Sequence, residues 1–142
     1  MKLTRYSDYA LRVSLYLAIN QARLVQISEI VKVYGLPQGN IMKLTTDLVG
    51  AGFFESVRGR TGGIRLAISP SELTVGQIVR HTEGSQALVD CSSCILAPEC
   101  GLICIMSEAK QAFFRVLDNY TVEQVIARNP KAIDILSLTG GE

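Results

Sequence analysis

The chain has 142 residues, 48% of them hydrophobic and 19% charged, which suits one globular domain or two small lobes sharing a core and excludes a disordered polymer. No apolar run reaches the ~20 residues of a membrane span, and charge interrupts the amino-terminal MKLTRYSDYALR where a signal peptide would be apolar. The net charge of +1 conceals a division: residues 1–66 hold nine Lys/Arg and four Asp/Glu, residues 67–142 five and nine, so only the first part suits a polyanionic partner. A cytoplasmic protein without membrane contact is expected, in a compartment where thiols stay reduced.

Tyr9, Val13, Tyr16 and Leu17 recur at helical spacing, predicting a helix over 8–20 with Ser7 or Asp8 as its N-cap. A short helix over 28–33 follows. Tyr34-Gly35-Leu36-Pro37 then reads as a tight turn, with Gly35 at positive φ and Pro37 opening the next helix. That third helix spans 38–49 and ends at Gly50 and Gly52. Ile41, Leu44 and Leu48 face inward, and Asn40, Lys43 and Thr46 face out. Residues 53–58 and 64–67 read as strands joined by Gly59-Arg60-Thr61-Gly62-Gly63, a flexible hairpin turn.

Two helices, a glycine turn, a helix and a two-stranded ribbon form a winged helix-turn-helix, expected over residues 1–70. The fold class is therefore mainly α with a small β-wing. In such a domain the third helix enters the major groove of DNA, which puts Gln38, Asn40 and Lys43 toward base edges. Arg58, Arg60 and Arg65 lie on or beside the wing, within reach of phosphates or a minor groove; Thr4, Arg5 and Arg12 are further phosphate candidates. The competing reading is a solvated charged hairpin with no ligand.

Residues 71–101 form a connecting segment. Thr74 caps a helix through Glu83 with Ile78 and Val79 buried, and a loop runs from Gly84 to Cys100. Cys91, Cys94, Cys100 and Cys104, the only cysteines, make the pattern C-x2-C-x5-C-x3-C. Four thiolates this close can converge on one metal centre, and both zinc and an iron–sulfur cluster accept them. Pro98 at a first helical position begins a long helix over 98–118. Cys100 then falls in its first turn, where the dipole favours a thiolate, with Cys104 at i+4 beside it.

The opposite face carries Leu102, Ile105, Met106, Ala109, Ala112, Phe113, Val116 and Leu117, a wide apolar stripe. A partner subunit would cover it, the alternative being the chain's own winged domain. Residues 102–142 are thus a dimerisation helix and a short last helix begun by a Thr121–Gln124 capping box. His81, the only histidine, reads as a surface or hydrogen-bonded residue rather than a ligand. Cys91-Ser-Ser-Cys94 lacks the βαβ setting of a thiol oxidoreductase. No nucleophile triad, paired carboxylates or phosphate loop stands out, so an enzyme is not expected.

MKLTRYSDYALR, YGLPQGNIMKL, VRGRTGGIRL, CILAPECGL and FFRVLDNYTVEQV together resemble the bacterial iron–sulfur winged-helix regulators of the NsrR/IscR/RirA family, from Met1 to about Arg128. Within that family, LDNYT and CILAPECGL are most similar to the NsrR group of nitric-oxide-responsive repressors. The resemblance implies a homodimeric transcriptional repressor whose long helices cross and whose winged domains each read half of a palindromic operator. It implies an iron–sulfur cluster, 4Fe-4S favoured over 2Fe-2S, held by Cys91, Cys94 and Cys100. The fourth ligand would be an amino-terminal carboxylate, Asp8 of the partner subunit. An oxygen ligand is weaker than a thiolate and would leave one iron open to a diatomic molecule; nitric oxide would nitrosylate the cluster and release DNA. Two features depart from the family pattern. The first cysteine gap is shorter than usual, and Cys104 is additional, an alternative fourth ligand or an idle thiol. IscR-type members have a histidine where Ile103 stands here. The alternatives are the same fold sensing iron supply, cluster status or redox state, and a zinc-stabilised DNA-binding module without sensing.

Overall fold

Thr4, rather than Ser7 or Asp8, begins the first helix. Its side chain accepts the Ser7 N–H, and α1 runs Arg5–Ile19, a turn earlier than the apolar spacing indicates. The extra turn escapes an apolar count because its inward residue is a serine: Ser7 is fully buried. The computed structural model describes residues 1–139. After α1 come α2 (Ile27–Tyr34), α3 (Gln38–Gly50), β1 (Phe54–Val57), β2 (Gly63–Leu66), α4 (Val75–Glu83), a 3-10 turn (Ala97–Glu99), α5 (Leu102–Asp118), α6 (Val122–Arg128) and α7 (Lys131–Thr139). This is the winged helix-turn-helix order with a helical extension.

Gly35 ends α2 in the left-handed region, φ 65°, as its place in the turn requires. Pro37 stands just outside α3, in an extended conformation, instead of opening it. Ile41, Leu44, Thr45 and Leu48 turn α3 toward the core. The two strands pair antiparallel, with Glu55 opposite Arg65 and Val57 opposite Gly63. Reciprocal bonds between Val25 and Ile64, of 2.9 and 2.8 Å, pin the wing to the segment between α1 and α2. At Gly63 a Cβ would come within 2.7 Å of the Val25 carbonyl oxygen, so this contact needs glycine.

The core is continuous. Ala10, Val13, Tyr16 and Leu17 of α1 meet Val25, Ile30, Ile41, Leu44, Leu48, Phe54 and Ile64 of the winged domain, and Leu73, Ile78 and Val122 from beyond it. Two backbone bonds, Val75 N–H to Tyr120 O at 2.9 Å and Val122 N–H to Leu73 O at 2.8 Å, join the starts of α4 and α6. Both helices open with complete capping boxes, Thr74 with Gln77 and Thr121 with Gln124. Beyond them the one expected short helix is two, because Pro130 has no N–H with which to continue α6; α7 starts directly after it.

The long helix differs from expectation at its start and along its face. Pro98 lies in the separate 3-10 turn, Cys100 is extended (φ −89°, ψ 113°), and α5 begins only after Gly101. The break is at Cys100 itself, since Gly101 already has helical angles (φ −67°, ψ −16°). The predicted stripe divides along its length. Ala109, Phe113 and Leu117 line a groove of ≈ 510 Å³ with Leu3, Leu11 and Val79, whereas Leu102, Ile105 and Val116 stay 48%, 60% and 56% exposed. Phe114, outside the stripe, is the α5 side chain that is buried, with the Arg80 guanidinium 4.5 Å from its ring centre. Among the described residues no helix is long and apolar enough to cross a membrane.

Gly76 is where α4 meets the end of α5. It is buried, and a Cβ there would collide with the side chain of Asp118, which pairs with Arg80. Gly76→Ala is expected to lower stability by about 1–3 kcal/mol in a denaturant melt, because overpacking outweighs the gain in helix propensity. An unchanged or raised midpoint would show that Asp118 moves aside without loss.

Candidate nucleic-acid interface and cysteine loop

The outer face of α3 carries Gln38, Asn40 and Lys43, all exposed as expected, with Met42 and Thr46 between and beyond them. No acidic residue occupies its first turn, and Pro37 supplies no side-chain cap, so the positive end of the helix dipole is uncompensated. On the wing, Arg58 and Arg60 are exposed, and no ion pair of theirs occurs among the described residues. Arg5 is exposed at the start of α1.

Thr4, Arg12 and Arg65 are engaged within the chain. Arg65 meets Glu55 across the wing, Nε to Oε2 at 3.0 Å, and this bond holds the Glu55 carboxyl below its ordinary range. Arg12 reaches back one turn to Asp8 at 2.9 Å. Thr4, besides capping α1, donates its backbone N–H and hydroxyl to Glu83 Oε1 at 2.8 and 2.9 Å. Thus α3, the wing tip and Arg5 present open polar and basic groups, whereas Thr4, Arg12 and Arg65 are tied to acids.

Glu83, the last residue of α4, also takes a hydrogen bond from the Ser7 hydroxyl, which in turn lies 2.6 Å from the Thr82 hydroxyl. Partial burial raises the Glu83 carboxyl, but the bonds from Ser7 and Thr4 outweigh it and hold the group below its ordinary value. Sequence reasoning missed this latch between the start of α1 and the end of α4. The partners are more than seventy residues apart and polar, so hydrophobic periodicity carries no trace of them. His81, one turn from the end of α4, points its Nε2 at Asp47 Oδ2 of α3, 2.9 Å away.

Gly84 follows directly and leads into the cysteine loop. Asp90 accepts the Ser92 N–H at 3.0 Å and its hydroxyl at 2.6 Å, bonds that hold the Asp90 carboxyl down. Successive turns follow: Cys94 N–H to Cys91 O at 3.3 Å, Ala97 N–H to Cys94 O at 3.2 Å, Glu99 N–H to Leu96 O at 3.0 Å. All four cysteines are free thiols; Cys91 and Cys100 are half-buried, Cys94 and Cys104 exposed. The expected i, i+4 relation of Cys100 and Cys104 does not hold, since only Cys104 belongs to α5, in its first turn. Ile95 between the middle cysteines is 93% exposed.

As donors, four reduced thiols within one loop and helix start suit soft-metal ligation. In position, this single chain leaves them apart: among the described residues no three His, Cys, Asp or Glu side chains come together as a metal-holding group. Asp8 lies on α1 with Arg12 as its partner.

The profile of the Rrf2 family, described as an iron-dependent transcriptional regulator, matches residues 3–128. The HTH-type transcriptional regulator NsrR of Bacillus licheniformis is 40% identical, over 96% of this chain and all of its own length. The NsrR of Bacillus subtilis is 35% identical, over 97% of this chain and 99% of its own. Among solved structures, T. potens IscR superimposes with a TM-score of 0.75 at 26% identity, covering 90% of this chain and 88% of that one. CymR, the global cysteine regulator of B. subtilis, does so with a TM-score of 0.70 at 26% identity, covering 91% and 98%. The chain belongs to the Rrf2 family and is a DNA-binding transcriptional regulator, not an enzyme.

The Glu83 latch sets a pH test. A carboxyl held below its unfolded value stabilises the fold above the ordinary carboxylate range, and that contribution is lost as pH falls through the lower, folded value. Glu83→Gln is therefore expected to melt at a lower temperature than the parent at neutral pH, with the difference closing on acidification toward the carboxylate range. A difference that stays constant with pH would mean that the charge on Glu83 contributes nothing.

Proposed function

We propose that this Rrf2-family regulator is a homodimeric repressor that carries an iron–sulfur cluster and leaves its operator when nitric oxide reaches that cluster. The observation that carries the reading is the joining of two parts. A winged domain with open polar and basic groups leads, through one helix, into a loop and helix start that together hold every thiol of the chain. Relatives at 35–40% identity over almost the whole chain bear the NsrR name, which favours nitric oxide over iron supply or redox state as the signal.

Gln38, Asn40 and Lys43 are assigned to base edges, Arg58 and Arg60 to phosphates at the wing, and Arg5 to the flanking backbone. Thr4, Arg12 and Arg65 would contribute only by exchanging an internal acid for a phosphate. Cys91, Cys94 and Cys100 are assigned to the cluster, 4Fe-4S in preference to 2Fe-2S. The fourth ligand is Asp8 of the partner subunit, or Cys104. When bound, the cluster supplies the reactivity toward nitric oxide. The chain supplies three soft ligands on turns that can close over it, and a carboxylate on α1, the helix that packs against α3. The exposed Leu102, Ile105 and Val116 of α5 support a second copy of the chain as the covering partner. Cys104 favours one further reading: a set of four thiolates in a single chain also suits structural zinc.

Anaerobic purification with iron and sulfide assay, followed by titration with nitric oxide, tests the reading. A coloured dimer with matched iron and sulfide is expected to bleach as operator affinity falls. A colourless protein holding zinc would overturn it in favour of the zinc module, and a cluster that ignores nitric oxide would leave iron or redox state as the signal. If Asp8 is the fourth ligand, Asp8→Ala alters the cluster's spectrum and Cys104→Ser does not; the reverse pattern assigns Cys104.

Arg60→Ala examines the wing separately. Loss of one phosphate contact is expected to weaken binding to all duplexes alike and to reduce the slope of log affinity against log salt by about 1. Identical affinity and slope would remove the wing from the interface.

A further inference from the structure

Asp47 is in the wrong place for helix stability. It stands in the last turn of α3, where the helix dipole disfavours an acid. It also belongs to the helix that is to approach a polyanion. Its compensation is tertiary. The Tyr6 hydroxyl from α1 donates to Asp47 Oδ2, and His81 Nε2 from α4 lies 2.9 Å from the same oxygen. The Tyr6 bond, opposed by partial burial and assisted by His81, holds the Asp47 carboxyl below its ordinary value. Burial, with the Asp47 bond, pushes the Tyr6 phenol up to about 12. The His81 ring is itself held edge-on against Phe53, with centres 5.4 Å apart. One carboxylate oxygen thus gathers three helices, and two residues further along α4 Glu83 grips the start of α1.

We infer that His81 is a positioning residue for base recognition: through Asp47 it fixes the pose of α3, and hence the angle at which Gln38, Asn40 and Lys43 meet a duplex. The inference rests on the DNA-reading assignment of α3 made above. Three observations carry it: the acceptor oxygen shared with Tyr6, the cost of an acid at that position, and the packing of His81 on Phe53. The cations near His81 are occupied. Arg80 on its own helix pairs with Asp118, and Lys110 on α5 donates to the Gln86 carbonyl. Asp47 is accordingly the acid that meets the imidazole.

Positioning has a signature distinct from general stabilisation and from phosphate contact. Misplacing α3 lowers affinity for the right sequence and leaves sequence-independent binding, with its salt dependence, in place. The probes are the highest-affinity duplex selected from a random library and a scrambled duplex of equal length, with the anaerobically purified full chain. His81→Ala is expected to lose about tenfold on the selected duplex, the scale of one bond to a charged group, with the scrambled duplex and salt slope unchanged. His81→Gln, whose amide can still donate to Asp47, is expected to recover most of that loss. In the DNA-free protein, amides 45–50 of α3 should exchange faster in His81→Ala than in the parent. Equal losses on both duplexes, no loss on the selected one, or unaltered exchange would overturn the inference. A parent with no sequence preference would refute the DNA-reading assignment instead, and the exchange measurement would still decide whether His81 holds α3.

Discussion

Ala10, Val13, Tyr16, Leu17 and Ala18 of α1 are covered by the α2–α3 pair and the wing, and by α4 and α6, so α1 cannot shift without opening the core. Each fully buried Val or Leu on that face contributes about 1.5–3 kcal/mol of transfer free energy. Polar groups on the same face are satisfied locally. Ser14 donates to the Ala10 carbonyl at 2.7 Å, and the buried Tyr16 ends its hydroxyl on Glu29, which is clamped by Arg23 at 2.9 Å. Burial, with the Glu29 bond, pushes the Tyr16 phenol up to about 12, so it stays a donor across the working pH range. Because α1 is the common wall, the connecting segment is part of the same packing unit as the reading helix.

Charge placement follows from that wall. The four acids among residues 1–66 are Asp8, Glu29, Asp47 and Glu55. Each has an internal partner: Arg12, Arg23, the Tyr6–His81 pair and Arg65. Exposed pairs of this kind add little stability. Their effect is on where positive charge remains. Lys43, Arg58 and Arg60 are left uncompensated on α3 and the wing, the surfaces that would face a duplex. The excess of basic residues in the sequence is thereby turned into a directed field.

The parts of this arrangement that follow local rules were legible in the sequence. Gly35 at positive φ, the Thr74 cap, the Thr121 capping box, the outward set on α3 and the antiparallel wing all depend on a few neighbouring residues, and all are present. Apolar spacing starts α1 a turn late because Ser7 faces inward through hydrogen bonds. Pro98 is a good first helical residue and so points to a helix that includes Cys100, but it opens only a 3-10 turn, and Cys100 is extended before α5. The Glu83 and Asp47 contacts lay beyond reach because polar pairs across more than thirty residues have no period. Asp47 did carry a clue: an acid in the last turn of a helix assigned to DNA calls for a partner elsewhere.

The apolar surface of the second part has a consequence for the cysteines. Leu102, Ile105 and Val116 on α5 are exposed, and so are Leu96 and Ile95 in the preceding loop, Ile95 at 93%. Leaving such apolar surface in water costs about 25 cal/mol per Å², which is the physical support for the proposed association through α5. In the proposed dimer, covering α5 would also bring the second copy to the first turn of the helix, where Cys104 stands. If so, gathering the thiols and pairing the subunits would draw on the same burial, so that closing the cysteine loop and joining two copies would favour one another.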